Sequence, residues 1–244
     1  MRLVRVMCSG RVDLEFVLRA FANGMDGVFI VGCRLNECNY ITHGNYNALN
    51  MVSLCRRIMA HAGVNPDRLG IRFMSAADGI LFADANDEFV RQIKALGPLG
   101  QSEGIDTQDL KAGLEKARKL IPYIKVMKRE KLALHLDSEE AYQELYSREE
   151  VDSLLDEPVS YYIDPGKCRA CMICARRCPV EAISGGKNRI HVIDQEKCIK
   201  CGTCFTACPD RFEAVEKISG APVPQPVPEE ERQIKRKRRQ VPAG

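Results

Sequence analysis

The sequence predicts an α/β domain with a small parallel sheet over residues 1–100, then a helical connector, a compact α+β domain and a disordered tail. Three observations lead to this fold class. In the first hundred residues, short apolar runs alternate with segments of helical spacing, an order typical of parallel strands joined by right-handed crossovers. Residues 101–157 show only the helical spacing. The residues that follow repeat with a period of 30 and contain eight of the 12 cysteines.

The predicted elements of the first domain alternate regularly along the chain. The Gly27–Gly32 run is apolar throughout, as in strands that a parallel sheet buries on both faces. A later helix carries Cys55 on its apolar face, where a thiol serves as a small core side chain. The predicted elements are strand Leu3–Met7, helix Val12–Ala22, strand Gly27–Gly32, helix 45–62, strand Ile71–Met74 and helix 79–96.

Residues 101–157 are predicted to form the helical connector. One amphipathic helix covers 105–128, with a kink at Pro122 because proline lacks the N–H that the helix requires. A second helix opens at the acidic, cap-forming residues 137–140, and a third begins at 147–150. The apolar face of these helices packs within the chain or meets another protein of a complex, and we favour packing within the chain.

Eight cysteines fall into two copies of the pattern C-x2-C-x2-C-x3-C-P. This spacing is typical of bacterial ferredoxins with two 4Fe–4S clusters, in which the fourth cysteine of each run ligates the other cluster. Three thiolates two residues apart on a tight loop can reach three irons of one cubane, whereas the turn and the proline carry the fourth away. The expected ligand sets are Cys168, Cys171 and Cys174 with Cys208, and Cys198, Cys201 and Cys204 with Cys178.

Zinc is the main alternative for these cysteines, because paired C-x2-C motifs also bind zinc. A zinc site takes four ligands, whereas each run has a third C-x2 step and a proline, so we favour 4Fe–4S clusters. Structural disulfides are less favoured, because the sequence shows no secretion signal and we expect a cytoplasmic protein. No apolar run reaches the ~18 residues of a membrane span.

The cysteine runs belong to a longer internal repeat. Ile163 and Asp164 precede the first run, as Ile193 and Asp194 precede the second. Each half predicts a strand, a cluster loop and a short helical turn, so we expect a pseudo-symmetric two-cluster ferredoxin domain over 158–218.

Residues 219–244 are predicted to be a disordered tail, because they are rich in proline, then acidic, then basic over 235–239. The basic run could bind nucleic acid or an acidic protein surface. Since no aromatic residues are interleaved with it, we favour a solvated tail that docks on a partner and expect no nucleic-acid partner. The formal net charge of +3 favours neither kind of partner.

Three further cysteines lie just after predicted strands. Cys8 follows the first strand, Cys33 follows the second, and Cys38 lies on the loop after Cys33. Because the carboxyl ends of parallel strands meet at one edge of the sheet, we expect these thiols to converge. Their glycine-flanked and polar surroundings favour metal ligation over core packing.

These N-terminal segments resemble the delta iron–sulfur subunit of methyl-viologen-reducing hydrogenase. The resemblance covers about residues 2–100 and is carried by Val6–Asp13, Gly32–Cys33, Cys38, Gly44–Tyr46, Val64–Leu69 and Ser75–Ala77. It implies a 2Fe–2S cluster at the N-terminal cysteines. It also implies two partners, a heterodisulfide-reductase-like flavoprotein and an electron donor such as a hydrogenase or a formate dehydrogenase. Several family members have a fused ferredoxin tail.

One feature of the family pattern is missing before Cys8. The family normally has another strand with a C-x-x-C-type motif at that place, whereas this sequence starts at Met1. We expect the true start to lie upstream, where some relatives carry selenocysteine.

The sequence therefore predicts a subunit of an anaerobe's oxidoreductase complex that carries electrons and transforms no substrate itself. Two alternatives remain open. One is a thiol-active reductase that uses Cys33 and Cys38, which would require a lowered thiol pKa. The other is an iron–sulfur protein whose clusters are structural and whose basic tail binds nucleic acid.

Overall fold

The computed structural model describes residues 2–40, 43–136 and 138–234. The chain forms two compact units with a boundary between Asp156 and Glu157. Residues 101–156, which the sequence assigns to a connector, lie in the same compact unit as the residues before them. Within the described ranges, no helix is both long and apolar enough to cross a bilayer.

The first unit contains a two-stranded parallel sheet, which confirms the small parallel sheet expected from the sequence. Strand β1 (Val28–Gly32) pairs with β2 (Leu69–Phe73), and Val28 lies opposite Leu69. The helices of this unit are α1 (Leu14–Ala22), α2 (Asn45–His61), α3 (Gly79–Leu96), α4 (Thr107–Lys119), α5 (Ile121–Met127), α6 (Arg129–Leu132), α7 (Glu139–Glu144) and α8 (Arg148–Asp156).

The strand predicted at Leu3–Met7 is wrong. The segment has no strand structure, and the side chains of Leu3 and Met7 are 80% and 94% exposed. An apolar run becomes a strand only when a neighbouring strand supplies hydrogen-bond partners, and among the described residues β1 pairs with β2 alone. The chain instead enters the fold at a 3-10 turn, Ser9–Arg11.

Helix α2 forms the centre of the first unit. Twelve of its residues are buried, and Cys55 is fully buried on its apolar face, as the helical spacing predicts. Burial raises the pKa of the Cys55 thiol, since an apolar environment disfavours the thiolate. Cys55 is therefore a core residue, separated in role from the other three N-terminal cysteines.

The helices after residue 100 pack against α1 and α2. Leu110, Leu114 and Ala117 of α4 are buried, and Arg118 forms an ion pair with Glu15 of α1 at 2.8 Å. His61 at the end of α2 lies 2.8 Å from Asp152 of α8. This favours packing of the apolar face within the chain.

The single helix predicted over 105–128 is two helices, α4 and α5, separated at Leu120. The break lies where the kink was expected, because Pro122 has no N–H and fits only the first turn of a new helix. Helix α7 begins at the N-cap Ser138, whose hydroxyl accepts a hydrogen bond from the N–H of Ala141. The predicted cap residue Asp137 lies outside the described residues.

A buried ion pair, which sequence reasoning missed, joins the turn before β2 to the loop after α3. Arg68 is fully buried, and its Nε lies 2.7 Å from Oε1 of Glu103. The same guanidinium donates to the carbonyl oxygens of Asp26 and Gly97 at 3.0 and 2.9 Å. Burial favours the neutral acid, but hydrogen bonds from Arg68 and from the N–H of Asn65 lower the pKa of Glu103 to about 2.

The second unit repeats one strand–loop–helix motif, as the sequence predicts. Two antiparallel pairs form its sheets, β3 with β6 and β4 with β5. Their apolar side chains and the cysteines share one core. In chain order the elements are β3 (Ser160–Ile163), α9 (Ile173–Arg177), β4 (Ile183–Gly186), β5 (Arg189–Ile193), α10 (Thr203–Ala207) and β6 (Val215–Ile218).

The prediction of a disordered tail is wrong for residues 219–234, which fold back on β5. The N–H of Ile190 donates to the carbonyl oxygen of Arg232 at 2.7 Å, and the N–H of Ile234 donates to that of Asn188 at 2.8 Å. Arg189 also forms an ion pair with Glu229 at 2.8 Å. Composition indicated disorder, but an open strand edge offers backbone partners that composition does not record. The basic run at 235–239 lies outside the described residues.

Candidate metal centres

The two cysteine loops of the second unit have the same backbone path. Ala170 and Lys200, 30 residues apart, have φ of 53° and 54°. Met172 and Gly202, also 30 residues apart, have φ of 69° and 75° and cap α9 and α10. The left-handed conformation costs a non-glycine residue roughly 1–2 kcal/mol. Its repetition in both loops indicates that the position of the cysteines has been favoured over local backbone comfort.

The first expected ligand set is gathered around Cys174. Burial raises the pKa of the Cys174 thiol to about 11, and the nearby thiolates of Cys168, Cys171 and Cys208 raise it further. Such an effect requires close approach, so the structure brings three cysteines of the first run together with the fourth of the second. Cys168 and Cys174 are buried, whereas Cys171 is exposed.

The second expected set surrounds a hollow of about 310 Å³. Burial raises the pKa of Cys204 to about 12, and the thiolates of Cys198, Cys201 and Cys174 add to that rise. Cys174 belongs to the first set, so the two sets are neighbours. The hollow is lined by Cys178, Cys198, Cys201 and Cys204 together with apolar side chains that include Val180, Ile183, Ile193 and Ile199.

Backbone N–H groups point at the sulfurs, which tests whether the thiols suit an anionic cluster. The N–H of Ala182 lies 3.3 Å from the Sγ of Cys178, and the N–H of Ala214 lies 3.3 Å from the Sγ of Cys208. Hydrogen bonds of this kind stabilise thiolate ligands and tune an iron–sulfur cluster. The donors, the thiol sets and the hollow therefore fit 4Fe–4S clusters.

Among the described residues, no group of three or more His, Cys, Asp or Glu side chains is arranged to hold a single metal ion.

A histidine beside the first set was missed by sequence reasoning. His191 on β5 is 1% exposed, and its Nδ1 lies 3.9 Å from the Sγ of Cys168. Burial lowers the pKa of His191. The 30-residue repeat could have directed attention to it, because His191 corresponds to Tyr161 of the first half.

The three N-terminal cysteines also converge, at the carboxyl edge of the parallel sheet. The thiols of Cys33 and Cys8 both hydrogen-bond with that of Cys38. Burial alone would raise the pKa of Cys38, but these hydrogen bonds and those from the N–H groups of Tyr40 and Asn45 lower it. Burial and the neighbouring Cys38 raise the pKa of Cys33 to about 11.

Small and polar residues shape this N-terminal cysteine site. A Cβ at Gly44 would lie only 2.2 Å from the Sγ of Cys38, so only glycine fits there. A Cβ at Gly10 would lie 2.4 Å from the carbonyl oxygens of His43 and Gly44. Asn45 donates to the carbonyl oxygen of Cys33 at 2.8 Å and thereby fixes the loop that carries two of the thiols.

The repeated loops and their paired thiol sets define an iron–sulfur protein with a two-cluster ferredoxin domain. The comparison with known families agrees: a 4Fe–4S dicluster domain matches residues 167–212, and a 4Fe–4S single cluster domain of ferredoxin I matches 193–237. The family described as methyl-viologen-reducing hydrogenase, delta subunit, matches residues 1–97.

The relatives identify the N-terminal part further. It is 41% identical over 97 residues to an iron–sulfur subunit of the F420-non-reducing hydrogenase of Archaeoglobus profundus, covering 40% of this chain and 70% of the relative. The chain therefore belongs to the family of delta subunits of methyl-viologen-reducing hydrogenase.

Two other relatives are much longer proteins, and both are subunits of CoB-CoM heterodisulfide reductases. One belongs to the ferredoxin/F420H2-dependent enzyme of Methanosarcina acetivorans and is 42% identical over 99 residues. The other belongs to the ferredoxin-dependent enzyme of Methanosarcina mazei and is 39% identical over 118 residues. The matches cover 41% and 48% of this chain but only 12% and 14% of the relatives.

Proposed function

We propose that this chain relays single electrons through two 4Fe–4S clusters in its second unit. The ligands of one cluster are Cys168, Cys171, Cys174 and Cys208, and those of the other are Cys178, Cys198, Cys201 and Cys204. The observation that carries the proposal is the hollow lined by four thiols, three from the second run and one from the first. A bound 4Fe–4S cluster accepts and releases one electron at a time.

The protein contributes position, shielding and charge balance. The neighbouring thiols Cys174 and Cys204 bring the two sets close together, which shortens the path between them. Apolar side chains such as Ile183 and Ile193 exclude water from the second hollow. The N–H groups of Ala182 and Ala214 offset the negative charge of the thiolates.

Anaerobic purification with iron and sulfide counts and low-temperature EPR tests this proposal. The expected result is eight irons in the second unit and two interacting signals after reduction with dithionite. Serine in place of Cys174 removes one signal, whereas the matched variant Cys55→Ala keeps both because Cys55 lies in the core. Zinc in place of iron, or clusters that dithionite does not reduce, contradicts the proposal.

We also propose a third centre, a 2Fe–2S cluster, at Cys8, Cys33 and Cys38. The convergence of these thiols on one edge of the sheet and the lowered pKa of Cys38 support it. A 2Fe–2S cluster takes four protein ligands, of which the described residues supply three. An iron count above eight, with a separate EPR signal lost in Cys33→Ser, supports this centre, and a count of eight without such a signal refutes it.

A second candidate function for the same thiols is thiol–disulfide exchange. The opposite pKa shifts of Cys38 and Cys33 are those expected of an attacking thiol and its resolving partner. Alkylation of Cys38 distinguishes the two possibilities. If it abolishes turnover of a disulfide substrate while every cluster stays in place, exchange is favoured over a third centre.

The proposed partners are a heterodisulfide-reductase-like flavoprotein and a hydrogenase or formate dehydrogenase, in the reducing cytoplasm. Support comes from the names of the relatives and from the 12 cysteines, all of which are free. A mixture of the purified chain with each candidate partner should form a stable complex in size-exclusion chromatography. Electron transfer from the donor should then reduce the clusters, and a partner that neither binds nor reduces them is excluded.

A further inference from the structure

His191 is placed to contact one ligand set and not the other. Its ring is buried on β5, with Nδ1 3.9 Å from the Sγ of Cys168. Gly185 on β4 leaves room for the ring, since a Cβ there would lie 2.4 Å from its Cδ2. Among the described residues, Nε2 has no hydrogen-bond partner, so the polar contact of the ring is made by Nδ1.

The other half of the repeat has a different side chain at the equivalent position. Tyr161 precedes His191 by 30 residues and lines the hollow with Cys198 and Cys201. A Cβ at Gly202 would lie 2.6 Å from the hydroxyl oxygen of Tyr161, so this ring reaches the second loop. The two thiol sets share one backbone plan, but an imidazole faces one set and a phenol faces the other.

We propose that His191 is a positioning residue whose Nδ1–H donates a hydrogen bond to the thiolate of Cys168 and raises the reduction potential of that cluster alone. A reduced cluster carries one more negative charge than an oxidised one, so a donor to its sulfur stabilises the reduced form more. The inference rests on the proposed function, because it requires that Cys168 ligates a cluster.

Redox titration of the intact protein, followed by EPR, tests the inference. In the wild type the two clusters titrate at different potentials, and Cys171→Ser marks the wave of the first set. In His191→Leu the first-set wave moves to lower potential while the second-set wave stays in place. His191→Asn, which keeps an N–H near the Nδ1 position, restores much of the wild-type value. The matched variant Tyr161→Phe leaves the first-set wave unchanged.

Two results overturn the inference. One is an unchanged first-set wave in His191→Leu, and the other is an equal displacement of both waves, which indicates a general disturbance of the unit. A wild-type protein with fewer than eight irons refutes the proposed clusters instead, so the two failures are distinguishable. Should His191→Leu lose its iron, the titration of His191→Gln decides, because its longer amide cannot reproduce the Nδ1 contact.

Discussion

Cys178, from the first cysteine run, lines the same hollow as Cys204 from the second. Thirty residues separate the two runs, and each ends with a cysteine that the following turn carries towards the other. The two halves of the unit are therefore tied through their sulfurs as well as through their strands.

This shared hollow predicts which signal a ligand variant alters. In Cys178→Ser the first-run cysteines are one fewer, yet the EPR signal that changes should be the one that Cys201→Ser also changes. Cys208→Ser should change the signal that Cys171→Ser affects. If Cys178→Ser and Cys171→Ser alter the same signal, each run ligates its own cluster and the interleaved sets are wrong.

The N-terminal cysteine site is predicted to depend on Gly44. In Gly44→Ala, the new Cβ would lie 2.2 Å from the Sγ of Cys38 and 2.6 Å from the carbonyl oxygen of Tyr40. Overpacking of this kind typically costs about 1–3 kcal/mol, and here it displaces a thiol. We expect loss of any iron above eight and unchanged ferredoxin signals, as measured by iron count and EPR.

Gly79→Ala is the matched control for that variant, because a Cβ at Gly79 meets no atom within 4 Å. It should keep the full iron content. Equal iron loss in both variants would show that helix and loop glycines in this unit are equally sensitive, and the argument from Cys38 would fail.

Local spacing explains why the thiol sets and the repeat were predictable from the sequence. Cysteines two residues apart define their own loop, whatever surrounds it, and the 30-residue period fixes the second copy. By contrast, Leu3–Met7 has the composition of a strand, but its partner is a matter of tertiary structure. The role of His191 is also non-local, because β5 brings it to a cysteine 23 positions earlier in the chain.

The buried ion pair of Arg68 and Glu103 is predicted to be a large stability determinant of the first unit. Arg68→Met leaves Glu103, whose side chain is 3% exposed, as an unpaired buried carboxylate. Breaking such a pair costs about 3–5 kcal/mol. Urea denaturation followed by circular dichroism should show the loss. The surface variant Arg148→Ala, which breaks the pair with Asp152, should cost under about 1 kcal/mol.

The same pair predicts a stability change in acid. The pKa of Glu103 is lowered from 4.5 to about 2, so its contribution is present above pH 4.5 and is lost as the pH falls towards 2. The urea midpoint of the wild type should fall over this range. Glu103→Gln removes the titrating group, so its midpoint should start lower and fall less steeply. Parallel curves for the two proteins would contradict the assignment.

The segment after β6 is predicted to protect an open strand edge. Deletion of residues 219–244 removes the two backbone hydrogen bonds from Ile190 and Ile234 and exposes the edge of β5. Each hydrogen bond contributes about 0.5–1.5 kcal/mol, and an exposed edge invites pairing with a second chain. We expect a lower urea midpoint for the iron-loaded protein and self-association in analytical ultracentrifugation. Deletion of 235–244 alone keeps both hydrogen bonds and should leave the midpoint and the mass unchanged. If the two deletions behave alike, the contacts of residues 219–234 with β5 do not stabilise the unit.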